Sequence, residues 1–186
     1  GHAVFKARLF LGAGAVIHAV GTRDMRLMGG LGPRMPFVRT TFVIGALALA
    51  GIPILNGFWS KELILEAGLS EGPRWAYILI LFGVALTAMY TVRMVYLVFF
   101  GDPRSHLHAH DAQPAMKVSL GVLAVGACTT WLLAGPLYEL LTSTLPFHHL
   151  HELTTMDMVP EVLATPATYL ALFMVFIGGL CWWRRD

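Results

Sequence analysis

Long apolar stretches separated by short polar connections make up most of the chain. About five of them are long enough to cross roughly 30 Å of hydrocarbon as α-helices. They cover residues 3–20, 37–69, 75–100, 118–141 and 162–183. The connections between them are too short for a folded water-soluble domain. The pattern therefore predicts an all-α fold, a polytopic membrane helix bundle of about five transmembrane helices.

The second stretch, FVRTTFVIGALALAGIPILNGFWSKELILEAGL, is interrupted near residues 51–58. Gly51, Pro53 and Gly57 disfavour a continuous helix, because proline lacks a backbone donor and glycine is conformationally free. We expect two half-helices joined by an unwound segment, so that the second transmembrane helix is discontinuous. Transporters place their ion sites at such breaks, where unwound backbone lines an internal cavity.

Lys61 follows this break by about one helical turn. A lysine within an apolar span is costly and needs a reason. Burial and the positive end of the second half-helix would weaken its hold on a proton. Carbonyl groups freed at the break and the neighbouring Glu62 would strengthen that hold. We take Lys61 as a proton-relay candidate; the alternative is a lysine that snorkels to the nearer surface and sets the helix depth.

The composition agrees with a membrane protein, since 56% of the residues are hydrophobic and only 13% are charged. The chain lacks a phosphate-binding loop, a dinucleotide glycine pattern and a basic face, so we expect no nucleotide, flavin or nucleic acid to bind. Its two cysteines, Cys128 and Cys181, are too few for an iron–sulfur site. The start lacks signal-peptide architecture, and we interpret the chain as a fragment of a longer protein.

Basic residues are concentrated in alternate connections. Arg23, Arg26 and Arg34 lie in the first connection, and Arg104 and Lys117 lie in the third. The positive-inside rule then predicts that these connections and the C-terminal end face the cytoplasm, or the matrix in a mitochondrion. This orientation puts Lys61 towards the outer half of the membrane.

The first stretch carries several residues that can bind protons. His2 and Lys6 lie one turn apart on one face of the predicted helix, and His18 lies further along. Titratable residues inside a membrane span indicate a proton pathway. Arg8 lies on roughly the opposite face from Lys6. We expect Arg8 to pair with another helix or to lie near the outer surface.

Two connections are rich in histidine and raise the question of a metal site. The predicted topology puts these connections on opposite sides of the membrane, and neither has the spacing of a structural zinc site. We therefore expect no metal. The residues concerned are His106, His108, His110 and Asp111 in one connection, and His148, His149, His151 and Glu152 in the other.

Three segments of the chain resemble a known family. They are HAVFKARLFLGAGAVIHA at residues 2–19, DMRLMGGL at 24–31, and TTFVIGALALAGIPILNGFWSKELIL, which ends near residue 65. They are similar to the antiporter-like subunits of proton-pumping NADH:quinone oxidoreductase, respiratory complex I. The large subunits of multisubunit Na⁺/H⁺ antiporters carry the same motifs. Beyond residue 65 the resemblance is looser and rests on LTAMYTVRMVYLVFFGD and the order of the spans.

The resemblance implies roles for individual residues. Lys6 matches the central lysine of the family's proton pathway, and His2 matches its histidine neighbour. Lys61 matches the lysine of the second broken helix, which is thought to connect the relay to the outer side, and the Lys61-Glu62 pair favours the L type, also called chain 5. Arg8 is a departure, because the family usually has leucine there. The resemblance assigns no role to His18.

The resemblance also implies the setting in which the chain works. Protons would move through protonatable side chains and internal water while distant quinone reduction supplies the energy. The fragment would bind no cofactor itself, since NADH, FMN, iron–sulfur clusters and quinone belong to other subunits. Its partners would be the other membrane subunits of complex I and the lipid bilayer, in a bacterial plasma membrane rather than a mitochondrial inner membrane.

Three alternative functions stay open at this point. The chain would serve equally as a subunit of a cation/proton antiporter driven by an ion gradient, or as a subunit of a membrane-bound hydrogenase. In a different class, the spans would form an inert scaffold whose lysines only set helix depth. Assembly and ion transport by Lys6→Ala variants would separate the scaffold from the transport functions.

Overall fold

A computed structural model describes residues 2–53, 55–70, 72–103, 109–133 and 166–183, together with residues 136, 140, 143, 144, 160 and 164. Six helices account for most of these residues, which include no β-strand. They are α1 (His2–Val20), α2 (Pro36–Ala50), α3 (Asn56–Ser70), α4 (Arg74–Val95, continued by a π-helical turn, Tyr96–Phe100), α5 (Pro114–Thr129, continued by a 3₁₀ turn, Thr130–Leu133) and α6 (Pro166–Trp183).

The predicted all-α class and the discontinuity of the second apolar stretch are confirmed. Three helical stretches among the described residues are long and apolar enough to cross a membrane: Ala3–Val20, Arg74–Phe100 and Pro114–Leu133. The second apolar stretch forms two shorter helices, α2 and α3. The fourth stretch begins at Pro114, four residues before the predicted start at residue 118, because proline is well suited to the first turn of a helix.

Helices α1, α2 and α5 pack closely through small residues. A Cβ atom on Gly12 would lie 2.7 Å from the Phe42 ring, and one on Gly45 would lie 3.2 Å from Leu9. Residue numbers therefore rise along α1 as they fall along α2, so the two helices are antiparallel. Gly126 of α5 meets Val4 in the same way, at 3.1 Å. The glycines let the backbones approach as in other membrane helix pairs.

Helices α4 and α6 run parallel. Leu81 and Ala171 belong to one buried cluster, and further along the pair Gly178 of α6 lies against the Ala85 carbonyl of α4. A side chain at residue 178 would overlap that carbonyl, which explains why glycine stands at the crossing. The outward faces of α4, α5 and α6 carry many exposed large apolar residues, as expected of surfaces that face lipid.

The first connection packs into the bundle more deeply than its glycine-rich sequence suggests. Met28, Leu31 and Met35 are all buried in the cluster that fills one end of the bundle. The Leu31 N–H donates to the Val98 carbonyl (3.3 Å) and the Gly32 N–H donates to the Phe99 carbonyl (3.1 Å). The connection thus satisfies carbonyl groups of the π-helical turn and ties the end of α4 to the start of α2.

Candidate functional site

The break in the second span begins with a regular helix ending at Gly51. Gly51 has a left-handed backbone (φ 88°, ψ 39°). Its N–H donates to the Ala48 carbonyl (3.2 Å), and the Ile52 N–H donates to the Leu47 carbonyl (3.1 Å). This is a Schellman motif, which satisfies two of the last carbonyl groups of α2. The sequence therefore ends α2 at a defined point, as glycine is the residue best able to adopt this conformation.

The next carbonyl group, that of Leu49, has lost its helical partner. In a continuous helix it would accept a hydrogen bond from the N–H of residue 53, four residues on. Residue 53 is proline and has no N–H. The ammonium group of Lys61 takes its place, since Nζ donates to the Leu49 carbonyl at 2.5 Å. Lys61 thus replaces the hydrogen-bond donor that Pro53 lacks, and its ammonium group lies inside the break.

Gly51 and Gly57 make room for this contact. A Cβ atom on Gly51 would lie 3.3 Å from Cδ of Lys61 and 3.5 Å from its Nζ, so the glycine leaves space for the lysine side chain. On Gly57, a Cβ atom would lie 2.7 Å from the carbonyl carbon of Ala48 and would overlap its oxygen. The start of α3 therefore rests directly on the last turn of α2. The two half-helices form one unit around Lys61.

A second set of contacts ties the start of α3 to α5. Asn56 is buried, and its Nδ2 donates to Thr130 Oγ1 (2.9 Å). One turn away, the Trp59 ring stacks on that of Trp131, with centroids 5.3 Å apart. These contacts join the break to the 3₁₀ turn at the end of α5. They fix the backbone from which Lys61 projects.

Lys6 lies at a similar depth on a different face. The pairing of Leu9 with Gly45 and of Gly12 with Phe42 puts Lys6 level with the end of α2, where Lys61 is bound. Its side chain, however, is exposed on the surface of the described chain, whereas Phe5, Arg8, Ala15 and Val16 form the buried face of α1. The structure therefore does not bring Lys6 and Lys61 into one pocket. The side chains of His2 and Glu62 lie outside the described residues.

Arg8 is fully buried within the described part of the chain, at 0% exposure. Its Nε, Nη1 and Nη2 atoms are buried without a hydrogen-bond partner in the described part of the chain, so the expected hydrogen-bonded pairing with another helix is wrong there. The physical reason is its position on the inward stripe of α1, where Cδ lies 3.6 Å from the position of a Cβ on Gly45. A buried cation without acceptors is strongly unfavourable.

His18 lies at the opposite end of α1 from Lys6. It borders a small cavity of about 70 Å³ together with His110 and Asp111 from the connection that precedes α5. The described residues contain no cluster of three or more potential metal ligands. His106, His108, His148, His149, His151 and Glu152 lie outside them.

Asp111 caps α2 from a distant part of the chain. Its Oδ1 accepts from the N–H groups of Ala112 (3.0 Å) and Val38 (3.4 Å), and its Oδ2 lies 3.0 Å from Lys117 Nζ. Val38 is in the first turn of α2, where N–H groups lack helical partners. Burial raises the pKa of the Asp111 carboxyl, but the hydrogen bonds from Lys117, Ala112 and Val38 outweigh it and hold the pKa below its ordinary value of 3.8.

We therefore expect Asp111→Ala, which removes the acceptor oxygens, to lower the melting temperature at pH 7. The loss of a helix cap costs about 1 kcal/mol of the free energy of unfolding. Because the pKa is lower in the folded state, the carboxylate stabilises the fold above the ordinary pKa, and this contribution is lost as pH falls below 3.8. The difference between parent and variant should shrink in acid. Asp102→Ala, at an exposed site, is the control; an equal effect there would refute the cap.

Comparison with known proteins gives a family match over the part of the chain that contains the break. Residues 1–87 match the family described as "NADH:quinone oxidoreductase/Mrp antiporter, TM". The matched segment contains α1, α2, α3 and the start of α4, and therefore both Lys6 and Lys61. The predicted resemblance over the first third of the chain is confirmed.

Individual relatives carry consistent names. The chain is 44% identical over 136 residues to F(420)H(2) dehydrogenase subunit L of Methanosarcina mazei. The matched segment covers 68% of this chain and 20% of that protein. It is 36% identical over 194 residues to NADH-quinone oxidoreductase subunit L of Rickettsia felis, covering 97% of this chain and 29% of the relative. It is also 45% identical over 134 residues to NADH-ubiquinone oxidoreductase chain 5 of Phytophthora infestans, covering 68% of this chain and 20% of the relative.

The chain spans between a fifth and three tenths of the length of these relatives. The relatives named subunit L and chain 5 agree with the L type that the Lys61-Glu62 pair favours. The family match and the relatives together lead to one assignment: the chain is part of an antiporter-like subunit of the NADH:quinone oxidoreductase/Mrp antiporter family.

Proposed function

We propose that the chain is a proton-translocating part of the L-type membrane subunit of an NADH:quinone oxidoreductase. One observation carries this proposal: the Lys61 ammonium donates to the Leu49 carbonyl inside a helix break. A lysine that only set the depth of its helix would extend to the membrane surface. Lys61 instead turns back towards the preceding half-helix, where its protonation state changes the contacts of the break.

In this mechanism Lys61 alternates between a charged and a neutral state. The charged ammonium binds the Leu49 carbonyl, and the neutral amine binds it more weakly because charge-assisted hydrogen bonds are the stronger ones. Loss of the proton therefore frees the side chain to receive another one from internal water. Gly51 leaves the space for this movement beside Cδ and Nζ. Glu62, the next residue, is proposed as an acidic partner that favours the charged state.

Lys6 and His2 are proposed as the central relay on α1. The exposed Lys6 side chain cannot face hydrocarbon at low energetic cost. The relatives are more than three times as long as this chain, and we propose that helices of the intact subunit cover this face and enclose water there. His18, beside the cavity that it shares with His110 and Asp111, is proposed as the proton-entry residue at the inner surface.

The driving energy is proposed to come from quinone reduction elsewhere in the complex. NADH, FMN, iron–sulfur clusters and quinone would then be bound by other subunits, and this chain would bind none of them. We propose other membrane subunits of the complex as its partners and a bacterial plasma membrane, rather than a mitochondrial inner membrane, as its location. The relatives from two Rickettsia species match over 95–97% of the chain, which supports the bacterial choice.

The second candidate is a subunit of a cation/proton antiporter, which the family description itself includes. A redox complex with a different electron donor is a variant of the first candidate, because one relative is named for F(420)H(2) rather than NADH. These functions would all use the same break. The candidate functions differ in the source of the energy that drives proton movement.

Purification of the intact complex from its native membrane separates the candidates. We expect an affinity tag on this subunit to recover proteins with iron–sulfur clusters and a quinone-reductase activity that uses NADH. Recovery of small membrane proteins alone, without clusters or quinone reduction, would contradict the proposal and favour the antiporter. Active complex that uses a donor other than NADH would correct only the identity of the donor.

A further inference from the structure

Arg8 is a buried cation that the proposed proton pathway does not use. Its guanidinium group has no hydrogen-bond partner within the described part of the chain and is fully shielded from solvent. Unlike lysine, arginine keeps its proton at any pH that a protein experiences. Arg8 is therefore a permanent positive charge inside the bundle, close to the end of α2.

The packing of α1 on α2 brings this charge near Lys61. Cδ of Arg8 lies beside Gly45, and Nζ of Lys61 binds the carbonyl of Leu49. Residues 45 and 49 are one turn apart on the same side of α2, or about 6 Å along its axis. Helix α1 also contacts α3 directly. The two cationic groups are thus separated by a distance on the order of 10 Å, with protein between them.

We propose that Arg8 is a positioning charge for the relay: its fixed positive charge sets the pH range over which Lys61 releases its proton. A like charge nearby favours the neutral form of a lysine. The inference rests on the proposed function for its biological meaning, but the electrostatic effect on Lys61 can be measured without transport.

Other charged and titratable groups lie on the helices that pack around Arg8, and their distance from the break differs. Cys128 of α5 and Lys6 of α1 belong to the same half of the bundle, and Lys6 points away from it. Arg39 and Lys117 lie at the opposite ends of α2 and α5 from the break. Helices α4 and α6 also pack against α3. The set on all helices around Arg8 and Lys61 is His2, Lys6 and His18 on α1, Arg39 on α2, Glu62 and Glu66 on α3, Arg74, Tyr77, Tyr90 and Arg93 on α4, Lys117 and Cys128 on α5, and Tyr169 and Cys181 on α6.

The test measures the protonation of Lys61 in the intact complex. A short pulse of acetic anhydride acetylates only neutral amines, and mass spectrometry then gives the acetylated fraction of Lys61 at each pH. The midpoint is determined for each variant from its own labelling at different pH values, so differences between variants in the access of acetic anhydride to Lys61 do not affect it. Arg8→Leu and Arg8→Gln both remove the charge, and the glutamine keeps polar atoms for internal water. Arg23→Leu removes the same charge from an exposed site and is the matched control.

We expect the labelling midpoint of Lys61 to move to higher pH by about one unit in both Arg8 variants, the shift for like charges about 10 Å apart at an effective dielectric constant of about 20. Arg23→Leu should leave the midpoint unchanged. Unchanged midpoints in both Arg8 variants, or a shift in Arg8→Leu alone, would overturn the inference. Continued proton transport in Lys61→Ala would instead overturn the proposed function and leave the labelling result intact.

Discussion

Gly57→Val is expected to prevent assembly of the subunit. Any side chain at residue 57 would overlap the carbonyl group of Ala48, because a Cβ atom would lie 2.7 Å from its carbon. The carbonyl group belongs to the backbone and the Cβ atom is bonded directly to it, so neither can rotate away. Helix α3 must therefore move away from α2. That movement removes the Lys61 contact with Leu49 and disturbs the Asn56 contact with Thr130. The loss exceeds the 1–3 kcal/mol typical of overpacking by a flexible side chain.

The amount of intact complex in native membranes, measured by blue native electrophoresis, checks this expectation. We expect less than a tenth of the parent level for both Gly57→Val and Gly57→Ala, because the overlap is already made by the Cβ atom. Gly83→Ala is the control, since a Cβ atom there meets nothing within 4 Å. Full assembly of Gly57→Val would mean that the close approach of α3 and α2 is absent from the assembled protein.

Lys61→Ala is expected to abolish proton transport while the complex still assembles. The variant removes the ammonium group and leaves the Leu49 carbonyl without its donor, which costs about 1–3 kcal/mol. This cost is small enough for the surrounding helices to retain their packing. We expect proton uptake by inverted membrane vesicles to fall at least tenfold, as measured with a pH-sensitive dye during NADH oxidation. Lys117→Ala, which removes a lysine outside the break, should keep most of the transport.

The sequence was informative about the break because its determinants are local. Gly51 ends a helix by its left-handed backbone, and Pro53 prevents continuation, so both effects follow from residue type. The partner of Lys61 was also within reach of sequence reasoning: the residue four positions before a proline loses its helical donor, which points to Leu49. Leu49 is a residue of the site that the sequence interpretation does not include.

Other features depend on packing and could not be read from one helix at a time. The periodicity of α1 predicted that Lys6 and Arg8 lie on opposite faces of the helix. It did not predict which of the two faces is buried. The inward face is the one with Phe5, Arg8 and Ala15, because Gly12 meets Phe42 of α2 there. The cap that Asp111 provides for Val38 joins residues 73 positions apart and required the three-dimensional structure.

The first connection illustrates a similar limit. Its glycine and proline residues correctly indicated turns, and Gly29 and Gly30 have positive φ angles. Its apolar residues, however, are buried in a cluster that includes the end of α4, where carbonyl groups of the π-helical turn accept from the N–H groups of Leu31 and Gly32. The π-helical turn itself carries no proline or glycine that would have predicted it.

A proton relay at Lys61 is tested most directly by the number of protons that purified Lys61→Arg complex moves per electron in liposomes. Arginine retains a positive charge and a donor for the Leu49 carbonyl, but it does not release its proton. A relay at Lys61 predicts that quinone reduction continues while fewer protons move per electron than in the parent. An unchanged ratio, with normal assembly, would show that only the charge and the hydrogen bond matter, and it would contradict a proton relay at this residue.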